Sequence, residues 1–168
     1  MSIGIAEISK CYDVHRISEA DIPAVLRLCR GNELFYRFHP PLPSEESIAR
    51  DMAALPPRTD AANKLYIGFF DGEALCAVAD LILGYPERDT LFIGFFMVDS
   101  SRQGKGIGCA IVSEIMTFAR DRKMKKARLA VDEGNVQSLS FWRKNGFEKT
   151  GERVPNDFSA YLPMERGI

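Results

Sequence analysis

DSSRQGKGIGCAIVSEI, residues 99–115, places three glycines within five positions, Gly104, Gly106 and Gly108, directly ahead of an apolar run of helical period. Ile107, Ile111, Ile115 and Phe118 recur at spacings of four, four and three, which defines one face of a helix. On the other side lies LFIGFFMV (91–98), almost continuously apolar, as a strand covered on both faces would be. A strand, a glycine loop and a helix in succession suit an anion. The first amides of a helix have no intrahelical acceptor, and the dipole adds about half a positive charge there. Glycine admits positive φ and lets an anion approach the backbone closely. A bare tight turn would not need three glycines, which only weaken a helix start.

Outward from this segment the chain alternates strand and helix signals. YDVHRI (12–17) alternates as a strand does. Ser18 and Asp21 predict a capping box for a helix with Ile22, Val25, Leu26 and Cys29 on its apolar face and Gly31 as its stop. FYRFHPPLP (35–43) is expected as a loop held open by three prolines. A second helix follows Ser44, with Ile48, Met52 and Leu55 on one side, and ends at Pro56 and Pro57. KLYIGFF (64–70) turns at Asp71-Gly72, a hairpin signal, into EALCAVADLIL (73–83). After the glycine loop and its helix, ARLAV (127–131) reads as another buried strand. NVQSLSFWRKNGF (135–147) reads as a short helix capped by Asn135 and stopped at Gly146, and EKTGERV (148–154) and SAYLPMER (159–166) as closing strands. This order predicts one mixed α/β domain over residues 1–168. Its sheet has about seven strands, antiparallel at first, with one parallel pair across the glycine-loop helix and helices on both faces.

Composition removes several function classes. The 168 residues are 46% hydrophobic and 27% charged, with a net charge of −1, so binding to nucleic acid by bulk positive charge is not expected. RDRKMKKAR (120–128) reads as the solvated end of a helix, where cations suit the dipole. The four cysteines, Cys11, Cys29, Cys76 and Cys109, and the two histidines, His15 and His39, share no metal-ligand spacing. No metal is expected, and the cysteines read as small core residues in a reducing cytoplasm. There is no basic-then-apolar leader, and the apolar runs fall far short of the ~20 residues of a membrane span. A cytoplasmic protein without nucleic-acid or membrane partners follows as the expectation, with edge strands leaving a homodimer open.

Three kinds of phosphate loop compete for residues 99–108. The P-loop needs G-K-S or G-K-T, and Lys105 stands between glycines instead. The dinucleotide fingerprint fails on spacing: its third glycine position is Cys109 counted from Gly104 and Ile111 counted from Gly106, although Asp132 and Glu133 follow at a suitable distance. The third pattern, Q/R-x-x-G-x-G/A, is met by Gln103, Gly106 and Gly108, with Arg102 just ahead. With NVQSLSFWRKNGF at the following helix, read as N-x-x-[SA]-x-x-[FL]-Y-x-x-x-G-F through Asn135, Ser138, Phe141, Trp142, Gly146 and Phe147, the chain resembles the GNAT superfamily of N-acetyltransferases from about Lys64 to Lys149.

The resemblance implies a sheet splayed between its fourth and fifth strands, with acetyl-CoA as co-substrate and its pantetheine arm in the gap. Phe96, Met97 and Val98 would offer backbone groups to it, and an N–H near Met97 would hold the oxyanion, an effect typically worth about 3–4 kcal/mol. Gln103, Gly104, Lys105, Gly106, Ile107 and Gly108 would hold the pyrophosphate, with Arg102 and Lys105 adding charge. Asn135 and Ser138 would meet the pantetheine arm. Trp142 departs from the family pattern, which commonly has a tyrosine able to protonate the leaving thiolate; indole donates a hydrogen bond but keeps its proton. The amine must also lose a proton. Asp80, set inside an apolar strand, and Glu33 are the favoured bases, with His39, Tyr85, Asp132 and Glu133 as further candidates. ELFYRFHPP (33–41), with Tyr36 and Phe38, falls where the family builds its acceptor wall. The implied activity is acetylation of a primary amine on a small molecule or peptide; the alternative is a CoA-binding sensor or accessory domain of weak catalysis.

Overall fold

The computed structural model describes residues 4–168. Its sheet opens with four antiparallel strands, β1 (Asp13–Arg16), β2 (Lys64–Asp71), β3 (Ala74–Leu83) and β4 (Thr90–Val98). The β2–β3 hairpin closes where expected, with Asp71 opposite Ala74 and Gly72 at φ +59°. β5 (Lys126–Asp132) then runs parallel to β4. The short β6 (Glu148–Lys149) and β7 (Val154–Pro155) both pair with β8 (Ala160–Gly167), which itself lies antiparallel along the whole of β5. The sheet has eight strands where seven were expected, because EKTGERV breaks into two pieces around Gly151 (φ +92°).

Five helices flank this sheet: α1 (Ile22–Arg30), α2 (Glu33–Phe38), α3 (Glu45–Ala53), α4 (Ile107–Asp121) and α5 (Val136–Lys144). The Ser18 amide donates to the Asp21 carboxylate at 2.8 Å ahead of α1, as the capping box requires. Leu28 joins Ile22, Val25 and Cys29 on the buried face of α1, and Leu26 packs half-buried against the same cluster. α2 occupies a stretch expected as loop; the prolines begin only at Pro40 and leave room for a turn and a half of helix before them. Ser44 and Ser47 cap α3 reciprocally, the Ser47 amide donating to Ser44 Oγ at 3.1 Å and the Ser44 amide to Ser47 Oγ at 2.9 Å. Leu55 lies beyond that helix and is exposed. Cys29 and Cys76 are core residues, whereas Cys109 is half-buried and Cys11 is exposed.

Two hydrophobic clusters lie on the two faces. One joins Val25, Leu28 and Ile48 to Tyr66, Val78 and Met97. The other joins Leu65, Phe69 and Leu129 to Ile111, Ile115, Trp142 and Phe147. α1, α3, α4 and α5 bury apolar residues against the sheet, the main source of stability in such a layered fold. Among the described residues no helix is long and apolar enough to cross a membrane.

The feature that positions the site is the separation of β4 from β5. They pair only from Thr90–Phe92 to Lys126–Arg128. Past that point the register of β4 with β3 shifts: Leu81 faces Ile93, but Asp80 faces Phe95, which leaves Gly94 as one extra residue. Such a bulge bends and re-aims its strand. β5 meanwhile stays with β8 to Asp132. The two strands therefore diverge, as expected, between the fourth and fifth positions of the sheet.

Candidate active site

The glycine loop is built as an amide cradle. Gly104 and Gly106 have φ of +76° and +80°, and a side chain on either would meet nothing within 4 Å, so both face open space. Gly108 serves another purpose: a Cβ there would lie 3.1 Å from the Phe141 ring, so its smallness seats α4 against α5. The first helical bond of α4 runs from the Ala110 amide to the Gly106 carbonyl at 3.0 Å. The amides of Ile107, Gly108 and Cys109 precede it and lack helical acceptors, a donor set suited to a diphosphate. Lys105 stays beside its own loop, donating to the Ser101 carbonyl at 3.3 Å, and Arg102 pairs with Asp71 at 3.6 Å.

Gln103 turns inward. Its side-chain amide donates to the Val98 carbonyl at 2.9 Å and to Asn32 Oδ1, and Asn32 in turn donates to Val98 at 3.1 Å and to Leu28 at 2.9 Å. The loop is thus latched to the end of β4 and to the α1–α2 corner. The sequence carried no signal for Asn32 beyond its place after a helix stop.

Backbone alternation decides what β4 offers to the gap. The Asp99 amide donates to Cys76 on β3 at 2.8 Å, while the Val98 carbonyl points the other way, to Asn32 and Gln103. In an antiparallel pair successive residues turn their N–H and C=O to opposite edges. Met97 therefore faces β3, and Phe96 and Val98 face the gap. The backbone N–H expected near Met97 to face the gap is therefore that of Phe96 or Val98, and not that of Met97 itself. The Met97 side chain is core, 5% exposed.

A cavity of about 340 Å³ runs along this edge, lined by Phe96, Val98, Gln103, Gly104, Gly106 and Gly108 on one side and by Asn135, Ser138, Phe141 and Trp142 on the other. Cys109, Gln137 and Lys144 also border it, without having been singled out by sequence. Asn135 is buried and caps α5, its Oδ1 accepting from the Ser138 amide at 3.1 Å. Trp142 is 7% exposed and packs edge-on against Phe96, Phe141 and Phe147 at centroid distances of 5.8, 4.9 and 5.2 Å. It is an aromatic wall.

Between the diverging strands a second cavity of about 270 Å³ continues the first, sharing Phe35, Phe96, Ser138 and Trp142 with it. A third, of about 520 Å³, lies under α1–α3 and shares Phe35, His39, Phe92, Gly94 and Phe95 with the second. Its walls include Tyr36, Tyr66, Asp51, Lys64 and Asp80. Phe38 and Tyr85 line none of the three.

Charged residues are distributed unevenly around this third cavity. Lys64 Nζ donates to Asp80 Oδ2 at 3.0 Å and to the carbonyls of Ala54 and Asp51 at 2.7 and 2.9 Å. Burial raises the Asp80 carboxyl above the usual carboxylate range, and the Lys64 ammonium pulls it partly back. Asp80 Oδ1 is buried without a partner. Asp51 is likewise raised by desolvation, against the pull of Arg50, Lys64 and His39. Glu33 is exposed at the start of α2 and lines none of the cavities. His39 and Asp132, 93 residues apart, come together: His39 Nδ1 lies 3.2 Å from Asp132 Oδ1. That bond raises the His39 imidazole above its ordinary value, with burial acting against it. Glu133 is bound by Arg153 at 2.7 and 3.0 Å, which lowers its carboxyl. Among the described residues no cluster of three or more metal-ligating side chains is assembled.

A parted parallel pair, an amide cradle at the adjoining helix and a chamber reaching through to the other side of the sheet define a fold of the acyl-transfer class. Residues 29–147 match the family model described as Acetyltransferase (GNAT) family, and the chain belongs to that family. The fold is shared with an acetyltransferase from Thermus thermophilus, at 20% identity and TM-score 0.73 over 93% of this chain and 96% of that one. PaiA N-acetyltransferase from Thermoplasma acidophilum, solved in complex with coenzyme A, superposes with TM-score 0.67 at 18% identity, over 92% of this chain and 98% of that one. A phosphinothricin acetyltransferase from Sinorhizobium meliloti, in complex with AcCoA, gives TM-score 0.67 at 16% identity, over 94% of this chain and 89% of that one. No curated protein matches the chain by sequence.

Proposed function

We propose that this chain is an acetyl-CoA-dependent N-acetyltransferase that moves the acetyl group by direct attack of a primary amine, carried by a small molecule or a peptide. The observation that carries this reading is the edge of β4 at Phe96 and Val98 that no neighbouring strand pairs, facing a series of adjoining cavities that share lining residues from the amide cradle to the aromatic chamber. The diphosphate of acetyl-CoA sits on the amides from Gly104 to Cys109. The pantetheine arm runs beside β4 as an added strand, within reach of Asn135 and Ser138. The thioester carbonyl takes the Phe96 N–H, which stabilises the oxyanion of the tetrahedral intermediate. The amine enters from the chamber under α1–α3, between Phe35, Tyr36, Tyr66 and Phe95. Trp142 shields the sulfur without supplying a proton, and the Ser138 hydroxyl borders both the first and second cavities as a donor for the leaving thiolate.

A second reading, a CoA-binding sensor or accessory domain, draws on Trp142, which removes the usual acid. One experiment separates them. Acetyl-CoA binding is measured by calorimetry, and CoA thiol release is followed with n-butylamine, benzylamine, putrescine and a lysine-containing peptide. Binding with turnover on one or more amines is the expected result. Binding with no turnover on any of them favours the sensor, and no binding sinks both.

A further inference from the structure

An alkylammonium must lose a proton before it can attack, and the two bases favoured by sequence are poorly placed to take it. Asp80 Oδ2 is held by Lys64, and its Oδ1 is closed off from solvent. Glu33 is exposed and borders none of the cavities. Tyr85 packs edge-on to Phe92 at 5.2 Å and borders none of them either, and Glu133 is clamped by Arg153. His39 alone among these candidates borders both the gap cavity and the acceptor chamber. Its ring lies 5.3 Å from Phe35 and 6.4 Å from Tyr161, and its Nδ1 faces a carboxylate, Asp132, that is 8% exposed. An anionic partner at Nδ1 selects the tautomer protonated there and leaves the Nε2 lone pair free.

Resting on the acetyl-transfer reading, we propose that His39 is the base for the acceptor amine and that Asp132 is its positioning residue. The ammonium gives one proton to His39 Nε2. The neutral amine attacks the thioester carbon, the C–S bond breaks, and the second N–H proton passes to the thiolate, so that amide and CoA thiol leave. His39 returns its proton to water. Asp132 from β5 and Asp51 from α3 act on the imidazole, and the other charged or titratable groups that share its two cavities are Tyr161 from β8, Arg50 from α3, Lys64 and Tyr66 from β2, Asp80 from β3, Tyr36 from α2 and Cys29 from α1.

The test follows thiol release with the best amine of the panel across the window from imidazole to alkylammonium titration, about 6.5 to about 10.4. His39→Gln is expected to lower kcat/KM by about 10²–10⁴-fold at the low end. The deficit should close as pH rises and bulk solvent supplies the free amine. Asp132→Asn is expected to lose less and to shift the rising limb to lower pH. CoA affinity by calorimetry should stay unchanged in both variants. A deficit equal at every pH, or turnover that survives His39→Gln at the low end, overturns the assignment. A second readout needs no acceptor. In a His15→Gln background the imidazole nitrogen spectrum should show His39 with Nδ1 protonated, titrating above a free imidazole and falling in Asp132→Asn. A proton on Nε2, or a titration blind to Asp132→Asn, also overturns it. Absence of turnover in the parent protein with every amine defeats acetyl transfer itself, and the base with it.

Discussion

Lys64 commits all three ammonium hydrogens inside the protein, to one carboxylate and two carbonyls at the end of α3. It is therefore a clamp on the wall of the chamber under α1–α3 as well as a counter-ion. Lys64→Met should cost about 3–5 kcal/mol at neutral pH, because Asp80 is left charged and alone in a buried setting. The sign with pH is fixed by direction. The folded-state carboxyl of Asp80 already titrates above its unfolded value, and losing Lys64 raises it further. Its neutral form then favours the folded state, so the deficit should shrink as pH falls through that raised value; chemical denaturation at several pH values checks this. Of this pair only Asp80 was legible in the sequence, as a carboxylate inside an apolar strand; that Lys64 faces Ile82 and falls diagonal to Asp80 depends on a register shift between Phe69 and Phe70 that the turn alone does not set. His39 and Asp132 were not legible as a pair, because nothing local brings together residues on a loop and a strand end 93 positions apart.

Two β-strand and loop details decide the chemistry available to a ligand. The glycine spacing announced positive φ at Gly104 and Gly106, and the structure places both facing open space. Gly104→Ala should leave the core intact and cost about 1–2 kcal/mol through left-handed backbone strain, while crowding the cradle. Tm should fall by about 2–8 °C, and CoA affinity by calorimetry should fall at least tenfold; an unchanged affinity would mean that the diphosphate is held elsewhere. The backbone parity of β4 was beyond sequence, since it depends on the register with β3 and on the extra residue at Gly94. The helix α2 escaped for a simpler reason. Six residues give fewer than two turns of the helical period, and the prolines that follow dominate the local signal.

Over the whole molecule, element order was enough to read the class of fold, because short right-handed connections leave few ways to arrange it. The insertion of β8 between β5 and β6 was not readable: β5 and β8 are distant in sequence, and β6 is only two residues long and carries no strand period. The parted strands leave the two halves of the sheet joined, across β4 and β5, by three residue pairs. A molecule filling the gap should tie them. At CoA one hundred times its Kd, linkage predicts about 2.7 kcal/mol of added stability, or a rise of about 5–11 °C in Tm for a chain of this size. Differential scanning calorimetry with and without CoA measures it, and no shift at saturation would deny that the gap is the binding place. The cofactor-side cavity and the acceptor-side chamber have one lining residue in common, Phe35. On the proposed reading, donor and acceptor would have separate lodgings with a shared doorway, so either guest could arrive first and the exchange would fall in a ternary encounter.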